Sequence, residues 1–154
     1  MAGATNGPER PRLPRPPRPA HVASTAARPS SPPPQSKKAL GDRAERAASA
    51  WLVTQGLELV ASNVRVGRFE IDLVLRDGAV IVFVEVRTRG PGAWTGALAS
   101  IDARKRGRLR AAGERLWRER FTRDATIERV RFDVAAVELL PDGGANVEHI
   151  KAAF

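Results

Sequence analysis

The chain has 154 residues, enough for one domain with a tail, and its 26 basic and 17 acidic side chains give a formal net charge of +9. The absence of cysteine excludes disulfides and thiolate chemistry, and the two distant histidines, His21 and His149, are too few for a histidine metal cluster. Neither a long apolar run nor an apolar N-terminal signal is present, so we expect a cytoplasmic protein with no membrane association. The basic excess makes nucleic acid the expected charged partner.

Residues 1–38 are predicted to form a disordered basic tail. They contain ten of the twelve prolines and seven basic residues against one acid, Glu9. Proline lacks a backbone donor, and the segment has almost nothing apolar to bury. Three interpretations stay open: an extension without function, as from a misplaced start codon; an arm that follows a phosphate backbone; and a transit peptide. Residues 39–154 are predicted to form one folded domain.

The folded part is predicted to begin with an amphipathic helix and a strand. Residues 40–55 are rich in alanine, and their apolar residues recur at helical spacing until Gly56 ends the pattern. Residues 57–66 follow as a strand, with Gly67 as a turn.

A β-hairpin is predicted next, over residues 69–76 and 79–89. Asp77-Gly78 separates these two apolar runs, and such a pair is a strong signal for a two-residue turn. With Asp77 and Gly78 as the turn, Glu70 lies opposite Glu85.

The second half of the domain is predicted to contain a glycine-rich loop, a helix and a strand, over residues 90–98, 101–120 and 127–139, with 147–153 as a last strand or short helix. The order α-β-β-β-α-β is typical of an α/β domain in which helices flank a mixed sheet.

The two faces of the predicted hairpin differ in character, because side chains alternate along a strand. In the predicted register Asp72 lies opposite Phe83. One face holds Glu70, Asp72, Val74, Ile81, Phe83, Glu85 and Arg87. The other is a plain core face of Ile71, Leu73, Leu75, Val80, Val82, Val84 and Val86.

Three carboxylates on a partly apolar face admit two interpretations. Opposed like charges destabilise a sheet, and burial adds to the cost unless the charges are neutralised. A hard divalent cation bound by oxygen atoms would neutralise them. A solvated hairpin face would also tolerate them, although Ile81 and Phe83 on the same face argue against full exposure.

Two helical residues add to this pattern. Glu45 lies at or beside the apolar stripe of the first helix, and Lys105 lies within that of the second, four residues from both Ile101 and Leu109. Each side chain either reaches the edge of the stripe or serves a polar site shared with the hairpin.

This arrangement resembles the active-site pattern of the PD-(D/E)XK nuclease superfamily, which has the restriction-endonuclease-like fold. In that pattern an acid on one strand precedes acid-any-lysine on the next, often with a helical glutamate upstream. The matching residues here are Asp72, then Glu85-Val86-Arg87, with Glu45 upstream.

A longer series of motifs resembles the YraN family of small bacterial endonuclease-like proteins, which are distantly similar to archaeal Holliday-junction resolvases. The resemblance covers about residues 41–154. It rests on the segments AERAASAWLVTQGLELVASNVRVGRFEIDLVLRDGAVIVFVEVRTR, IDARKRGRL, RFDVAAVEL and EHIKAAF.

The chain departs from the family pattern at two positions. Phe69 stands where the family usually has glycine, and Arg87 stands at the lysine of the acid-any-lysine motif. Because arginine stays protonated in proteins, Arg87 is suited to stabilising negative charge and not to acting as a base.

The resemblance implies magnesium- or manganese-dependent endonuclease activity on DNA phosphodiesters, with branched or recombining DNA as one candidate substrate. Asp72 and Glu85 would then bind metal with the Val86 carbonyl, and Glu45 and Glu70 would be outer or second-metal ligands. Catalytic roles for Arg87 and Lys105 follow, as stabilisers of charge on phosphorus. The loop with Trp94 is either a substrate contact or an ordinary flexible connector. The arginines of the second helix are either phosphate contacts or, as is the default for scattered arginines, solvated side chains; they are Arg104, Arg106, Arg108, Arg110, Arg115 and Arg118.

Two other functions stay open at this point. The chain could be a non-catalytic nucleic-acid-binding module, or an interaction subunit, that retains the nuclease fold. Junction-resolving relatives act as dimers, which makes a homodimer one candidate assembly.

Overall fold

The computed structural model describes residues 36–90 and 101–154, which form two helices and one five-stranded sheet. The predicted order α-β-β-β-α-β is confirmed, and the C-terminal segment adds a fifth strand. No helix within these ranges is long and apolar enough to cross a membrane. In chain order the elements are α1 (Lys37–Thr54), β1 (Glu58–Val66), β2 (Phe69–Asp77), β3 (Val80–Arg89), α2 (Ala103–Arg120), β4 (Arg129–Leu139) and β5 (Ala145–Ile150).

Two predicted segments lie largely outside the residues that the structure describes. The tail predicted for residues 1–38 lies outside the described ranges as far as residue 35, and its last two lysines belong to α1. The glycine-rich loop, including Trp94, lies outside them from residue 91 onward.

Helix α1 begins three residues earlier than its alanine-rich pattern predicts, because Ser36 caps it. The Ser36 hydroxyl oxygen accepts a hydrogen bond from the Ala39 backbone N–H at 3.2 Å, which satisfies a donor that the helix leaves free. Gly41 is tolerated inside the helix at a cost of about 1 kcal/mol relative to alanine. The buried face of the helix carries Ala44, Ala48 and Leu52.

The sheet is mixed, with strand order β1-β2-β3-β4-β5. All neighbouring strands are antiparallel except β3 and β4, which are parallel. Parallel neighbours cannot be joined by a tight turn, so the chain crosses from β3 to β4 through α2.

Each helix covers one face of the sheet. On β3, Val80, Val82 and Val84 pack in the layer that contains α1, and Ile81 and Phe83 pack in the layer that contains α2. Both faces of this strand are therefore buried, which explains its continuous apolar sequence.

Helix α2 packs very closely on the sheet at Gly113. A Cβ atom at this position would lie 2.6 Å from the ring of Phe132 and 2.7 Å from that of Phe83. Because such contacts are shorter than real side chains allow, glycine is needed to hold α2 at this depth.

The hairpin turn lies one residue later than predicted. Asp77 pairs with Val80, so Gly78 and Ala79 form the two-residue loop. Gly78 has a φ angle of +60° at the first loop position, which is what a type II′ turn requires.

The predicted hairpin register is therefore wrong. Phe83 lies opposite Val74 and not opposite Asp72, and the same shift separates Glu70 from Glu85. Moving the turn by one residue shifts the partner of every paired residue by two positions along the other strand. Because side chains alternate with a period of two, the residues of β3 keep their predicted faces.

Ile71 lies on the face opposite to the predicted one. Leu73 and Leu75 pack in the layer of α1 as predicted, but Ile71 packs in the layer of α2. Strand β2 is irregular between these residues: its pairings skip Asp72, and Asn63, at the corresponding position of β1, has a φ angle of +52°. A local irregularity of this kind exchanges the faces of the residues beyond it.

A buried carboxylate ties the C-terminal segment to the sheet. Asp133 of β4 is fully buried, and its oxygens lie 2.9 Å from Arg131 Nε, 2.7 Å from His149 Nε2 and 2.9 Å from the Ala152 N–H that donates to it. Burial by itself raises the pKa of Asp133, but hydrogen bonds from His149, Arg131 and Ala152 outweigh it and lower the pKa below its ordinary value. Trp51 packs edge-on against His149. Asp133 thus has a structural role.

Replacing this carboxylate should destabilise the fold. We expect Asp133→Asn to lower the free energy of unfolding at pH 7 by about 2–4 kcal/mol, because the buried ion pairs lose their acid. The lowered pKa makes the contribution of Asp133 present above about pH 4 and lost at lower pH, so the difference between the proteins should shrink there. Urea unfolding measures both, with exposed Glu114→Gln as control; equal stability at pH 7 would contradict the structural role.

Candidate active site

The candidate site lies where β2 and β3 separate, a place we call the fork. The backbone pairing of these strands ends at Leu73 and Val84. Next to this last pair, Asp72 Oδ2 accepts a hydrogen bond from the Val86 backbone N–H at 2.7 Å. A side chain therefore occupies the place of a backbone acceptor, which holds the carboxylate at the fork.

Glu85 is the second carboxylate of the fork, and only 5% of the residue is exposed. Its Oε1 atom pairs with Lys105 Nζ and lies 3.6 Å from a guanidinium nitrogen of Arg87. Glu85 and Arg87 are two residues apart on β3 and therefore share a face. Two cations from different elements thus meet one buried acid.

The start of α2 positions Lys105. The Asp102 side chain caps the helix by accepting a hydrogen bond from the Lys105 backbone N–H at 2.6 Å. Ile101, one residue earlier, is buried against Val134 and Ala136 of β4. The cap and the apolar anchor together direct the first turn of α2 to the fork.

Glu45 approaches the fork from α1. It is half-buried and lines a groove of about 440 Å³ between α1 and the β1–β2 hairpin, together with Asn63 and Glu70. Its negative charge contributes to raising the pKa of Asp72. Glu45 is therefore neither fully exposed nor part of the buried face of α1, and its charge acts on Asp72.

The electrostatics of the fork disfavour a charged Asp72. Burial and the negative charges of Glu85 and Glu45 raise the pKa of Asp72 to about 7, against the opposing effects of the Val86 N–H and Lys105. A strongly perturbed carboxyl beside a second acid is a common property of catalytic and metal sites.

The structure does not bring Glu70 into the fork. Because Ile71 points to the α2 face, Glu70 points to the opposite face, where its Oε2 lies 3.2 Å from Arg65 Nε. The prediction that Glu70 and Glu85 share a face is therefore wrong, and the irregularity of β2 is the reason.

The donor set fits magnesium or manganese as a site completed by substrate. No group of three metal-binding side chains is preformed within residues 36–90 and 101–154. Magnesium, however, often binds through one or two carboxylates and takes its remaining ligands from water and phosphate. Asp72 and Glu85 offer two such carboxylates. Burial, the largest cause, and the negative charges of Glu85 and Glu45 raise the pKa of Asp72, and a bound cation would favour its charged form.

The six arginines expected to contact substrate have different environments. Arg104 and Arg108 line a groove beside the β1–β2 turn. Arg106 donates a hydrogen bond to the Ile101 carbonyl, and Arg115 pairs with Glu119 while lining an adjoining groove. The groove of Arg104 and Arg108 is also lined by Arg68. The sequence did not predict this neighbour, because no local pattern connects Arg68 to α2.

Comparison with known proteins identifies the family of this chain. Residues 44–137 match the family described as "Uncharacterised protein family UPF0102". A UPF0102 protein of Sorangium cellulosum is 60% identical over 124 residues, which cover 80% of this chain and 86% of the relative. The chain belongs to the UPF0102 family. The UPF0102 protein YraN of Salmonella newport is 40% identical over 119 residues, 77% of this chain and 86% of its own length.

The match to UPF0102 spans α1 through most of β4 and therefore includes the fork. Glu45, Asp72, Glu85 and Lys105 all lie within it. The resemblance to the YraN family is thus confirmed, and the chemistry of the UPF0102 fork has to be inferred from these side chains.

Removing the charge of Asp72 should stabilise the protein at alkaline pH. Because the pKa of Asp72 is raised in the folded state, wild-type stability should fall between about pH 4 and pH 7, as the carboxylate becomes charged next to Glu85. We expect Asp72→Asn to raise the free energy of unfolding at pH 8, without divalent ions, by on the order of 1–3 kcal/mol.

Chemical unfolding of wild type, Asp72→Asn and the surface control Asp142→Asn at pH 5 and pH 8 measures this effect. A variant that is less stable than wild type at both pH values would contradict the electrostatic interpretation. Added magnesium should stabilise wild type more than Asp72→Asn, because a ligand that binds only the folded state raises its stability.

Proposed function

We propose that this UPF0102 protein is a metal-dependent endonuclease that hydrolyses DNA phosphodiesters. One observation carries the proposal: the half-buried carboxylate of Asp72 and the buried carboxylate of Glu85 meet at the fork, with the cations of Lys105 and Arg87 beside them. Acids that hold a divalent ion and cations that face a phosphate are two contributions that accelerate phosphodiester hydrolysis.

In this proposal Asp72 and Glu85 hold magnesium or manganese, with the Val86 carbonyl as a further ligand. When bound, the ion lowers the pKa of a water molecule and polarises the phosphoryl oxygen. Glu45 orients water at the edge of the fork. Glu70 lines the same groove as Glu45 and does not bind the ion that Asp72 and Glu85 hold.

Lys105 and Arg87 face the negative charge that develops on phosphorus. Lys105 pairs with Glu85 in the structure, and substrate would draw its ammonium group toward the phosphate. Arg87 stays protonated and stabilises charge without acting as a base. Because the two cations belong to α2 and β3, the proposal depends on close packing of α2 against the sheet.

A second function has one observation in its favour. Lys105 and Arg87 neutralise Glu85 within the chain, so the acid is satisfied without a metal ion. A non-catalytic DNA-binding module with the nuclease fold would keep this arrangement. Such a module predicts DNA binding that depends on salt and not on divalent metal.

Metal-dependent cleavage separates these two functions. We expect wild type to cleave DNA in magnesium or manganese and not in EDTA, and Asp72→Ala to lose this activity. The assay uses linear, supercoiled and four-way-junction DNA, and the ranking of substrates reports the preferred structure. Arg120→Ala, which removes an exposed charge from the last turn of α2, should cleave like wild type. Cleavage by Asp72→Ala at the wild-type rate would reject the fork as the catalytic site.

Lys105 should act on the rate of the reaction more than on binding. We expect Lys105→Ala to lower turnover by on the order of 10²-fold, while DNA affinity changes much less, because the ammonium group serves charge that appears in the transition state. Single-turnover cleavage and equilibrium binding separate these effects. Lys105→Arg should recover part of the rate. A loss of DNA affinity as large as the loss expected for turnover, with turnover itself unchanged, would assign Lys105 to substrate binding.

A further inference from the structure

A cationic groove lies between the β1–β2 turn and α2, on the side of the helix away from its buried residues. It measures about 670 Å³ and is lined by Arg68, Phe69, Arg104, Gly107, Arg108 and Ala111. Among the residues that the structure describes, no aspartate or glutamate belongs to this lining. The groove therefore combines three guanidinium groups with one aromatic ring.

The helical side of the groove is a regular stripe. Arg104, Arg108 and Ala111 are spaced at i, i+4 and i+7, which places them on one face of α2. Leu109 and Leu116 lie on a different face and are buried. Small side chains, Gly107 and Ala111, leave the space between the arginines open.

The guanidinium groups of the groove are available to a ligand. Arg68, Arg104 and Arg108 form no ion pair and donate no side-chain hydrogen bond to any residue in the described ranges, in contrast to Arg115, which pairs with Glu119 at 2.7 Å. Three unneutralised cations that converge on one concave surface are suited to a polyanion.

Phe69 gives the groove an aromatic surface, which a phosphate backbone alone would not use. The inner part of the ring packs against the apolar layer of α2, and the residue is half-exposed in the groove. An aromatic ring beside cations is the usual platform for a nucleic-acid base. Only an unpaired base can offer its face to such a ring, because the bases of a duplex stack on one another.

The groove adjoins the fork along both of the elements that form it. Phe69 lies three residues before Asp72 on β2, about 10 Å along the strand. Arg104 directly precedes Lys105 in the first turn of α2. A strand in the groove would therefore lead to the two carboxylates.

We propose that the cationic groove binds a single-stranded segment of DNA, with phosphates on Arg104 and Arg108 and an unpaired base on Phe69. The inference rests on the proposed function and deepens it, since it names the form of DNA that the site takes. The preferred substrate then carries unpaired nucleotides next to the phosphate that is cleaved.

Binding without cleavage tests this inference. Fluorescence anisotropy in EDTA compares a labelled single strand with a blunt duplex of the same sequence, at several salt concentrations. We expect wild type to prefer the single strand. Phe69→Leu keeps apolar packing and removes the aromatic face, so it should weaken single-strand binding about tenfold and leave duplex binding within twofold.

The arginines give a second, independent measurement. Arg108→Ala should weaken single-strand binding and lower the slope of log affinity against log salt by about 0.7, the value for one phosphate contact on a single strand. Arg120→Ala removes the same charge from the same helix outside the groove and should leave the slope unchanged.

Four outcomes would overturn the inference: no DNA binding by wild type, equal affinity for the two probes, wild-type affinity of Phe69→Leu for the single strand, or equal effects of the two arginine variants. The proposed function fails separately. Metal-dependent cleavage that needs Asp72 but ignores Phe69 and Arg108 would keep the nuclease and reject the groove. Single-strand binding that depends on Phe69 and Arg108, without any cleavage, would keep the groove and reject the nuclease.

Discussion

The close placement of two acids, one buried and one half-buried, is the constraint on which this structure depends. Asp72 and Glu85 lie where two strands of a well-packed sheet separate, and charge at Asp72 is unfavourable there because the carboxyl is partly withdrawn from water and a second acid is close. The Val86 N–H contacts Asp72, and cations from β3 and α2 contact Glu85, which offsets part of this cost. Under the proposed function, a divalent ion offsets the rest.

The architecture around the fork serves to bring distant residues to it. The parallel strands β3 and β4 need a long crossover connection, which here contains α2, and the start of that helix carries Lys105. Gly113 lets the helix lie close to the sheet, and Ile101 anchors its beginning. The opposite face carries α1 with Glu45. On β4, the strand next to β3, Asp133 holds the C-terminal segment to the sheet through His149 and Ala152, a structural task that differs from the one proposed for the fork.

Family membership and local chemistry give complementary information. The UPF0102 match identifies the ancestry of the segment that contains the fork. The side chains of the fork, two acids with a lysine and an arginine, carry the phosphate chemistry that we propose for it. Phe69 and the arginines of the cationic groove extend this arrangement away from the fork. They connect a departure from the usual family pattern to a concave surface on which a base could stack.

The sequence by itself determined the order of the elements, the α/β class and the buried β3 strand, because these depend on local periodicity. A family resemblance indicated that Asp72 and the Glu85-Val86-Arg87 motif belong together. The helical spacing also predicted inward positions for Glu45 and Lys105, and the structure places both half-buried, where they act on Asp72 and Glu85. The tertiary structure alone decided the turn at Gly78, the reversed face of Ile71 and Glu70, the Asp133–His149 pair and the approach of Arg68 to α2. These features depend on the register of neighbouring strands and on contacts between residues far apart in the chain, and no local pattern contains that information.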